Sequence, residues 1–282
     1  MSATMTDTVA GLPKVAPHRS TPLIAFGALL LRDLAVLRKT FIQFALRTIM
    51  QPLLFVFVFT NVFPKIGQAV GGARGAATFS SLLVPGVIAI ACIFQGIQAV
   101  ALPLVTEFGY SREIEDRVMA PMPVWAVAVE KLTAGALQGL IAALIVFPLA
   151  IIVPATPVHL DVQLLRIFTL LPLACVTGAA LGLVIGTRVA PRNVPLIFGL
   201  VVIPITFLGA TYYPWASLTP ILWLKYLVLI NPLVYMSEGM RVSLTPTLAP
   251  HMAIWAIYSG LTLFTVGLAW WGIQGFIKRV QS

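Results

Sequence analysis

Six long apolar stretches recur along the chain, and they constrain its fold more than any other feature. They cover about residues 41–63, 83–106, 124–146, 164–187, 193–213 and 252–274. A helix needs about 20 mostly apolar residues to cross the hydrocarbon core of a bilayer. Because backbone groups in lipid must find their hydrogen-bond partners within the segment, the stretches are predicted to be six transmembrane α-helices. The fold class is therefore an all-α integral membrane protein.

The composition agrees with a membrane protein. Apolar residues make up 59% of the chain and charged residues 10%, and the mean hydropathy is +0.98. The net charge of +9 favours nucleic acid in a soluble domain, but Lys and Arg of membrane proteins collect on the cytoplasmic side and contact anionic lipids. We therefore expect membrane lipids, and no nucleic acid, among the partners. The two cysteines lie inside apolar runs and the three histidines in or beside loops, so no metal site is predicted.

The distribution of Lys and Arg predicts the orientation of the spans. With the N-terminus in the cytoplasm, eleven of these residues fall in inner segments and five in outer segments. This asymmetry places both termini in the cytoplasm, together with the loop 107–123 between the second and third spans.

Three segments outside the spans have patterns of their own. Residues 1–21 are polar and contain proline, and they are predicted to be a disordered cytoplasmic tail. Residues 22–39 place larger apolar side chains on one face, which predicts an amphipathic helix in the membrane interface. That face comprises Leu23, Phe26, Leu30, Leu34 and Leu37, with Ala25, Ala28, Arg32, Ala35 and Lys39 opposite. Residues 214–245 are broken by prolines into pieces of about 11 to 14 residues, too short to cross; they predict a helical hairpin that enters the outer leaflet and returns.

The loop 107–123 concentrates charge. Six charged residues, including four of the chain's nine acids, fall within eleven of its positions. Ser111 is placed to cap a short helix, Ile114 and Val118 share one side of it, and prolines end it before the third span. Such a helix suits docking into a groove on a soluble partner. The alternative is a solvated turn that keeps charge out of lipid, although a loop that served only topology would need positive residues alone.

Two motifs resemble those of type-2 ABC exporter permeases, a family of drug, antibiotic, lipid and polysaccharide exporters. The stretch EFGYSREIEDRVMAPMPVWAVAVEKL resembles the family's loop between the second and third spans. Its matching positions are Glu107, Ile114-Glu115, Ala120-Pro121 and Lys131, while Arg112-Glu113 stand where many members carry Gly-Thr. The stretch YYPWASLTPILWLKYLVLINPLVYMSEGMR resembles the family's outer re-entrant region, with Asn231, Pro232, Tyr235, Glu238 and Arg241 at the matching positions. Residues 22–282 are interpreted as one ABC-2 type transmembrane domain.

The resemblance implies a division of labour. The loop becomes a coupling helix seated on a separate ATP-hydrolysing subunit, and its contact residues are Glu107, Ile114, Glu115, Asp116, Arg117 and Val118. Two permeases, identical or paralogous, and two ATPases form the working unit in a bacterial inner membrane, and they export an amphipathic drug, lipid or glycan-type substrate. The sequence contains no G-x-x-x-x-G-K-S/T phosphate loop, so ATP and Mg²⁺ are expected on the partner and no cofactor on this chain.

Several polar residues inside the apolar segments are candidates for a substrate pathway. They are Gln51, Gln95, Gln98 and Thr206. Gln95 and Gln98 share a face, where they either line a pathway or hydrogen-bond across a dimer interface. Arg47 is interpreted as a side chain that reaches the inner headgroups, and Glu130 and Lys131 are expected to pair with other inner charges. Glu238 and Arg241, three positions apart, predict a salt bridge in the re-entrant hairpin.

Two other classes of function stay open. A membrane-embedded enzyme acting on lipids would need clustered Asp, Glu or His near one membrane face, and the acidic cluster of the sequence lies in the loop 107–123. An ion-driven transporter would need no ATPase, and the shortage of acids inside the spans argues against proton coupling.

Overall fold

The computed structural model describes residues 22–66, 72–111, 122–154 and 156–281, and within them the chain is helical without a β-strand. The helices are α1 (Pro22–Lys39), α2 (Phe41–Phe57), α3 (Gly72–Thr106), α4 (Val124–Ile152), α5 (Leu164–Arg188), α6 (Leu222–Leu227), α7 (Pro232–Leu244) and α8 (Ile254–Gln281). A π-helical turn, Val58–Val62, continues α2 to Lys65, and another, Glu107–Ser111, continues α3. The predicted all-α class is confirmed for the described residues.

Five helices in the described part of the chain are long and apolar enough to cross a membrane. They are Phe41–Lys65, Thr78–Gly109, Val124–Ile152, Leu164–Arg188 and Ile254–Gln281. Each overlaps a predicted span, so an apolar helix is confirmed at these five positions, and most of the helices extend a few residues beyond the predicted bounds.

The stretch predicted as the fifth span, 193–213, forms no such helix. The chain is helical from 191 to 207, first as the 3-10 turn Pro191–Asn193 and then as short α-helical pieces around the π-helical turn Phe198–Val202. Pro195 and Pro204 each lack a backbone N–H, so a regular ladder of hydrogen bonds is interrupted twice. The helix ends at Phe207, and Ala210 then adopts a left-handed φ of 51°. This interrupted segment is shorter than the about 20 residues that a regular span needs.

The core is built around α3, which packs against α5, α4 and α7. Glycines let α3 and α5 approach closely, as small residues do in other membrane bundles. A Cβ atom added at Gly96 would lie 2.5 Å from the backbone of Gly178, and one added at Gly178 would lie 2.9 Å from the carbonyl oxygen of Cys92. The contact therefore depends on these two glycines.

Contacts at the helix ends give the direction of each helix. Lys131, early in α4, bonds to Glu107 just after α3, so α3 and α4 are antiparallel. Arg279, late in α8, donates to the carbonyl oxygens of Gly186 and Val189 at the end of α5. We call the end of the bundle that holds these residues the charged end.

At the other end of the bundle, the hairpin end, α3 and α7 are joined to the chain that precedes α5. The hydroxyl groups of Ser80 and Thr156 are 2.7 Å apart, and the backbone N–H of Asp161 donates to the carbonyl oxygen of Leu244 over 2.8 Å. The Thr169 and Tyr258 hydroxyl groups also hydrogen-bond, which joins the beginnings of α5 and α8. Because α5 and α8 are parallel, the chain between them passes from the charged end to the hairpin end.

The first helix has the predicted bounds, Pro22–Lys39, and packs against α4. The predicted apolar face is right in part. Leu37 is buried against the bundle, but Leu23 is 84% exposed, and Ala25, assigned to the opposite face, is buried. Leu31 is 68% exposed on the outer side, so apolar side chains point both to the bundle and away from it.

The region 214–245 is broken into short pieces, as its prolines predict. The 3-10 turn Trp215–Leu218 precedes α6, and the 3-10 turn Val228–Ile230 follows it. Helix α6 has 6 residues, fewer than predicted, and α7 has 13. Asn231 caps α7, since its side chain accepts from the N–H of Leu233 and donates to the carbonyl oxygen of Ile205 over 2.7 Å.

Candidate functional site

A buried lysine joins three helices at the charged end. The Nζ atom of Lys131 lies 2.8 Å from Glu107 Oε1 and 3.2 Å from Asp33 Oδ2, and the lysine side chain is 3% exposed. Glu107 begins the π-helical turn after α3, Asp33 belongs to α1, and Lys131 lies two turns into α4. A buried charge of this kind is retained only when it is paired and hydrogen-bonded. We call these three residues the ion cluster.

The ion cluster lies at the stem of the loop 107–123. Glu107, which is bonded to Lys131, is the first residue of the loop. The structure describes the loop at residues 107–111 and again at 122–123. The predicted contact residues Ile114, Glu115, Asp116, Arg117 and Val118 lie outside the described residues. The coupling helix itself therefore stays a prediction.

The C-terminal helix also holds this stem. The ring of Phe108 packs edge-on against Phe276, with centroids 5.7 Å apart, and the Arg279 guanidinium carbon lies 4.7 Å from the centroid of Phe108. Cation–π contacts of this kind stabilise a partly buried ring. The loop stem is thus in contact with α4 and α8, and Lys131 links it to α1.

The sequence predicted part of this arrangement. Lys131 pairs with a charge of the loop, as expected from its position, while Glu130 is fully buried. Asp33 and Phe108 were missed. Asp33 had a usable signal, because it is the acid of an otherwise apolar and basic helix, whereas Phe108 looked like any other apolar residue at the end of a span.

A cleft of about 840 Å³ adjoins the ion cluster. It lies between α1 and α2 on one side and α3 and α4 on the other. Its polar lining, apart from the ion cluster and Arg32, consists mainly of Gln43, Arg47, Gln98 and Gln138. Val36, Leu37, Phe44 and Leu102 are among its apolar walls. The volume is in the range of sites that hold small organic ligands, about 300 to 1,000 Å³.

The four predicted pathway residues are not brought together. Gln98 lines the cleft, but Gln95 points elsewhere, since its Oε1 accepts a hydrogen bond from the Thr48 hydroxyl over 3.1 Å and its side chain is buried. Thr206 is buried and donates to the carbonyl oxygen of Val202 in its own segment. Gln51 is half-buried on α2 and does not line the cleft. Gln98 thus faces a cavity and Gln95 hydrogen-bonds within the chain, so the dimer-interface role predicted for this pair stays a prediction.

A second buried ion pair lies in α7. Glu238 and Arg241 form the salt bridge that their spacing predicts, with side chains 0% and 1% exposed. Glu238 also accepts from the backbone N–H groups of Trp215 and Met252, each over 2.9 Å, and Arg241 donates to the carbonyl oxygen of Ala210. Burial lowers the pKa of the Arg241 guanidinium, and the negative charge of Glu238 opposes this effect. The pair therefore links α7 to the backbone at Trp215, Met252 and Ala210. The sequence did not indicate these three backbone contacts.

The described residues show no sign of a metal centre. No group of three or more His, Cys, Asp or Glu side chains among them is arranged to hold a metal ion.

A helical bundle with five apolar helices of spanning length defines a multi-pass integral membrane protein. The ABC-2 type transporter family matches residues 24–245, and this chain belongs to that family. Among its relatives is the inner membrane transport permease YadH of Escherichia coli K12, 26% identical over 205 residues, which are 71% of this chain and 77% of the relative. YadH of Shigella flexneri has the same identity and coverage. The family predicted from the two motifs is thereby confirmed.

Proposed function

We propose that this chain is the permease subunit of an ATP-driven exporter, powered by a separate ATPase that engages the loop 107–123. The observation that carries the proposal is the ion cluster, which ties the first residue of that loop to α4 and α1. A force applied to the loop reaches both helices through a buried Lys131, because a buried ion pair resists separation more than an exposed one. The absence of a phosphate-loop motif in the sequence supports a second subunit as the source of ATP hydrolysis.

The proposed topology has six crossings with both termini in the cytoplasm. The parallel directions of α5 and α8 support a further crossing between Arg188 and Ile254, and we assign it to the interrupted segment 191–207. Non-helical backbone at membrane depth is tolerated where protein covers it, and here the Ser237 hydroxyl donates to the carbonyl oxygen of Gly209. The charged end is then cytoplasmic, in agreement with the excess of Lys and Arg there. The hairpin α6–α7 lies at the outer leaflet.

The proposed assembly contains two copies of the permease and two ATPases. A single bundle of this size packs α3 tightly at its centre, so a path for a large solute fits better between two copies than through one. Helix α2 supports this arrangement, since it exposes Ile42, Leu46, Met50, Leu54 and Phe57, a surface that suits lipid or a second copy. The name of the YadH relatives supports transport across an inner membrane. The proposed substrate class is an amphipathic drug, lipid or glycan-type molecule, moved outwards.

A charge exchange in the loop tests the partnership with an ATPase. The variant carries Glu115→Arg and Arg117→Glu, which keeps the net charge of the loop. We expect it to lose the ABC-type ATPase that co-purifies with the tagged wild-type permease, and to lose ATP-dependent transport. The measurement is ATP hydrolysis and peptide identification in the purified complex.

The matched control exchanges charge at the hairpin end, with Asp161→Arg and Lys65→Glu. Both side chains are exposed, and the exchange likewise keeps the net charge. This control should retain the ATPase and its activity. If the loop variant keeps both complex and transport, the loop is not the coupling element and the proposed mechanism is wrong.

A further inference from the structure

The cleft beside the ion cluster contains a cation that has no partner in the described protein. Arg47 lies six residues beyond Phe41, so about 9 Å of helix rise separate it from the start of α2. Its guanidinium makes no hydrogen bond or ion pair within the residues that the structure describes, and it lines the cleft. In the proposed topology this position lies within the bilayer, where a charge is costly without a counter-charge or water. A negatively charged ligand bound in the cleft would supply that counter-charge.

Three amide side chains add hydrogen-bond donors next to the Arg47 guanidinium. Gln43, Gln98 and Gln138 line the same cleft, and none of them has a hydrogen bond to another described residue. Each amide offers two N–H donors beside the five of the guanidinium. Amide donors next to an unpaired guanidinium are suited to an anionic group that accepts several hydrogen bonds.

The charges of the cleft favour an anion as well. Three cationic side chains and two acids line it, so its formal net charge is +1. Both acids, Asp33 and Glu107, accept from Lys131, and neither of them is hydrogen-bonded to Arg47. A cationic ligand would meet the guanidinium without a free carboxylate to balance it.

The shape of the cleft and its walls favour an amphiphile over a free ion. Gln138 lies seven residues beyond Lys131 on α4, so the lining extends about 10 Å along the bundle from the ion cluster. Val36, Leu37, Phe44 and Leu102 line it, and the first and last of these are 54% and 37% exposed. The cleft thus has apolar walls open to the side of the bundle, where a lipid tail would be shielded from water.

We infer that this cleft is a binding site for an amphiphile with a negatively charged headgroup, a phosphate or a carboxylate, which Arg47 and the Gln98 and Gln138 amides bind while the tail lies against Phe44 and Leu102. The inference narrows the substrate class of the proposed exporter and in that respect rests on the proposed function. Binding itself needs no ATPase. Absence of binding in the cleft and absence of ATP-driven transport are therefore separate experimental results.

The test measures binding to the purified permease, without any ATPase, in nanodiscs of zwitterionic lipid. The probe is radiolabelled oleoyl lysophosphatidic acid. The competitors are oleate, oleoyl lysophosphatidylcholine, dodecyltrimethylammonium and inorganic phosphate. We expect saturable binding with competition by oleate, at least tenfold weaker competition by the zwitterionic and cationic amphiphiles, and none by inorganic phosphate. Competition by inorganic phosphate at the same concentration as the amphiphiles, or a preference for the cation, would overturn the inference.

Variants assign the binding to the cleft. Arg47→Gln should raise the Kd for the probe at least tenfold, because hydrogen bonds to a charged group contribute about that much or more, and Arg47→Lys should raise it less. Arg192→Gln, an exposed arginine outside the cleft, is the matched control and should stay within about twofold of wild type. A Kd for Arg47→Gln within that same range would mean that Arg47 only reaches for the lipid headgroups.

A second variant covers the case in which Arg47→Gln does not fold. Gln98→Leu keeps the size of the side chain and removes its donors, so the probe should bind severalfold more weakly while the elution profile stays that of wild type. Unchanged binding by folded Gln98→Leu contradicts the inference even if ATP-dependent transport is intact. If the probe binds but ATP-dependent transport is not observed, the proposed exporter function is contradicted and the binding site in the cleft is not.

Discussion

Replacing Lys131 by Met removes the ammonium that Glu107 and Asp33 share. The Met side chain fills a similar volume without the charge. Two carboxylates are then left at the charged end, one 7% and the other 15% exposed, without the cation that lies 2.8 Å and 3.2 Å from them. The substitution thus tests whether the ion cluster holds the loop stem to the bundle.

The expected loss of stability follows from burial. Removing one partner of a buried ion pair costs about 3 to 5 kcal/mol, and the nearer and more buried Glu107 accounts for most of it. Asp33 is more accessible to solvent, so its share is on the order of 1 kcal/mol or less. The total of about 3 to 5 kcal/mol corresponds to a change of roughly 100-fold or more in the ratio of folded to unfolded protein.

A compensating variant separates stability from coupling. Adding Glu107→Gln to Lys131→Met replaces the pair by neutral groups, which is often close to neutral in stability, so most of the lost free energy should return. The ionic link between loop and α4 is still absent. We therefore expect ATP-driven transport to stay at least tenfold below wild type in the double variant as well as in the single one.

Unfolding by SDS in mixed micelles, followed by the fluorescence of the six tryptophans, measures the stability of each variant. Lys278→Met, at an exposed position of the charged end, is the control and should change the free energy of unfolding by less than about 0.5 kcal/mol. If Lys131→Met unfolds like this control, the cluster does not stabilise the fold. Wild-type transport by the double variant would refute coupling through the ion pair.

Three further predictions concern packing and topology. Gly178→Ala should lower the free energy of unfolding by about 1 to 3 kcal/mol, because its Cβ would lie 2.9 Å from a carbonyl oxygen of α3. The control Gly267→Ala has open space around it and should be neutral or stabilising by up to about 1 kcal/mol. Equal effects of the two substitutions in SDS unfolding would contradict the close contact. Glu238→Gln should cost about 3 kcal/mol or more in the same assay, since it leaves Arg241 buried without its carboxylate, and an unchanged midpoint would show that the pair is dispensable. An impermeant maleimide should label Lys278→Cys from the cytoplasmic side of the membrane and Asp161→Cys from the opposite side. The two native cysteines are fully buried and should not react. Labelling of both introduced cysteines from the same side would exclude an odd number of crossings between them.

The family and the helical segments were predictable because their signals are local. The bounds of α1 were given by the apolar pattern up to Lys39, and α4 and α5 begin where the apolar stretches begin. Hydropathy and length decide whether a segment can be dissolved in lipid as a helix. The i, i+3 spacing of Glu238 and Arg241 likewise predicted their contact, because both residues belong to one helix.

The helix of the interrupted segment ends earlier than the predicted stretch 193–213 for a reason that hydropathy does not contain. Its residues are as apolar as those of a span, but Pro195 and Pro204 remove backbone donors, and the helix ends at Phe207 instead of continuing to 213. Neighbouring segments then supply its hydrogen bonds. Asn231 donates to Ile205 and Ser237 to Gly209, and these partners lie too far along the chain to be read from the segment itself.

The sequence by itself determined that this chain is an all-helical membrane protein of the ABC-2 type transporter family, because segment length, apolar character and short motifs are properties of neighbouring residues. Tertiary structure decided which polar groups meet. It joined Asp33, Glu107 and Lys131 from three helices, set Gln95 against Thr48, and left Arg47 facing a cleft with Gln98. Such contacts depend on how each helix is rotated and how closely it approaches its neighbours, which glycines such as Gly96 permit, and no periodicity within a single helix specifies either.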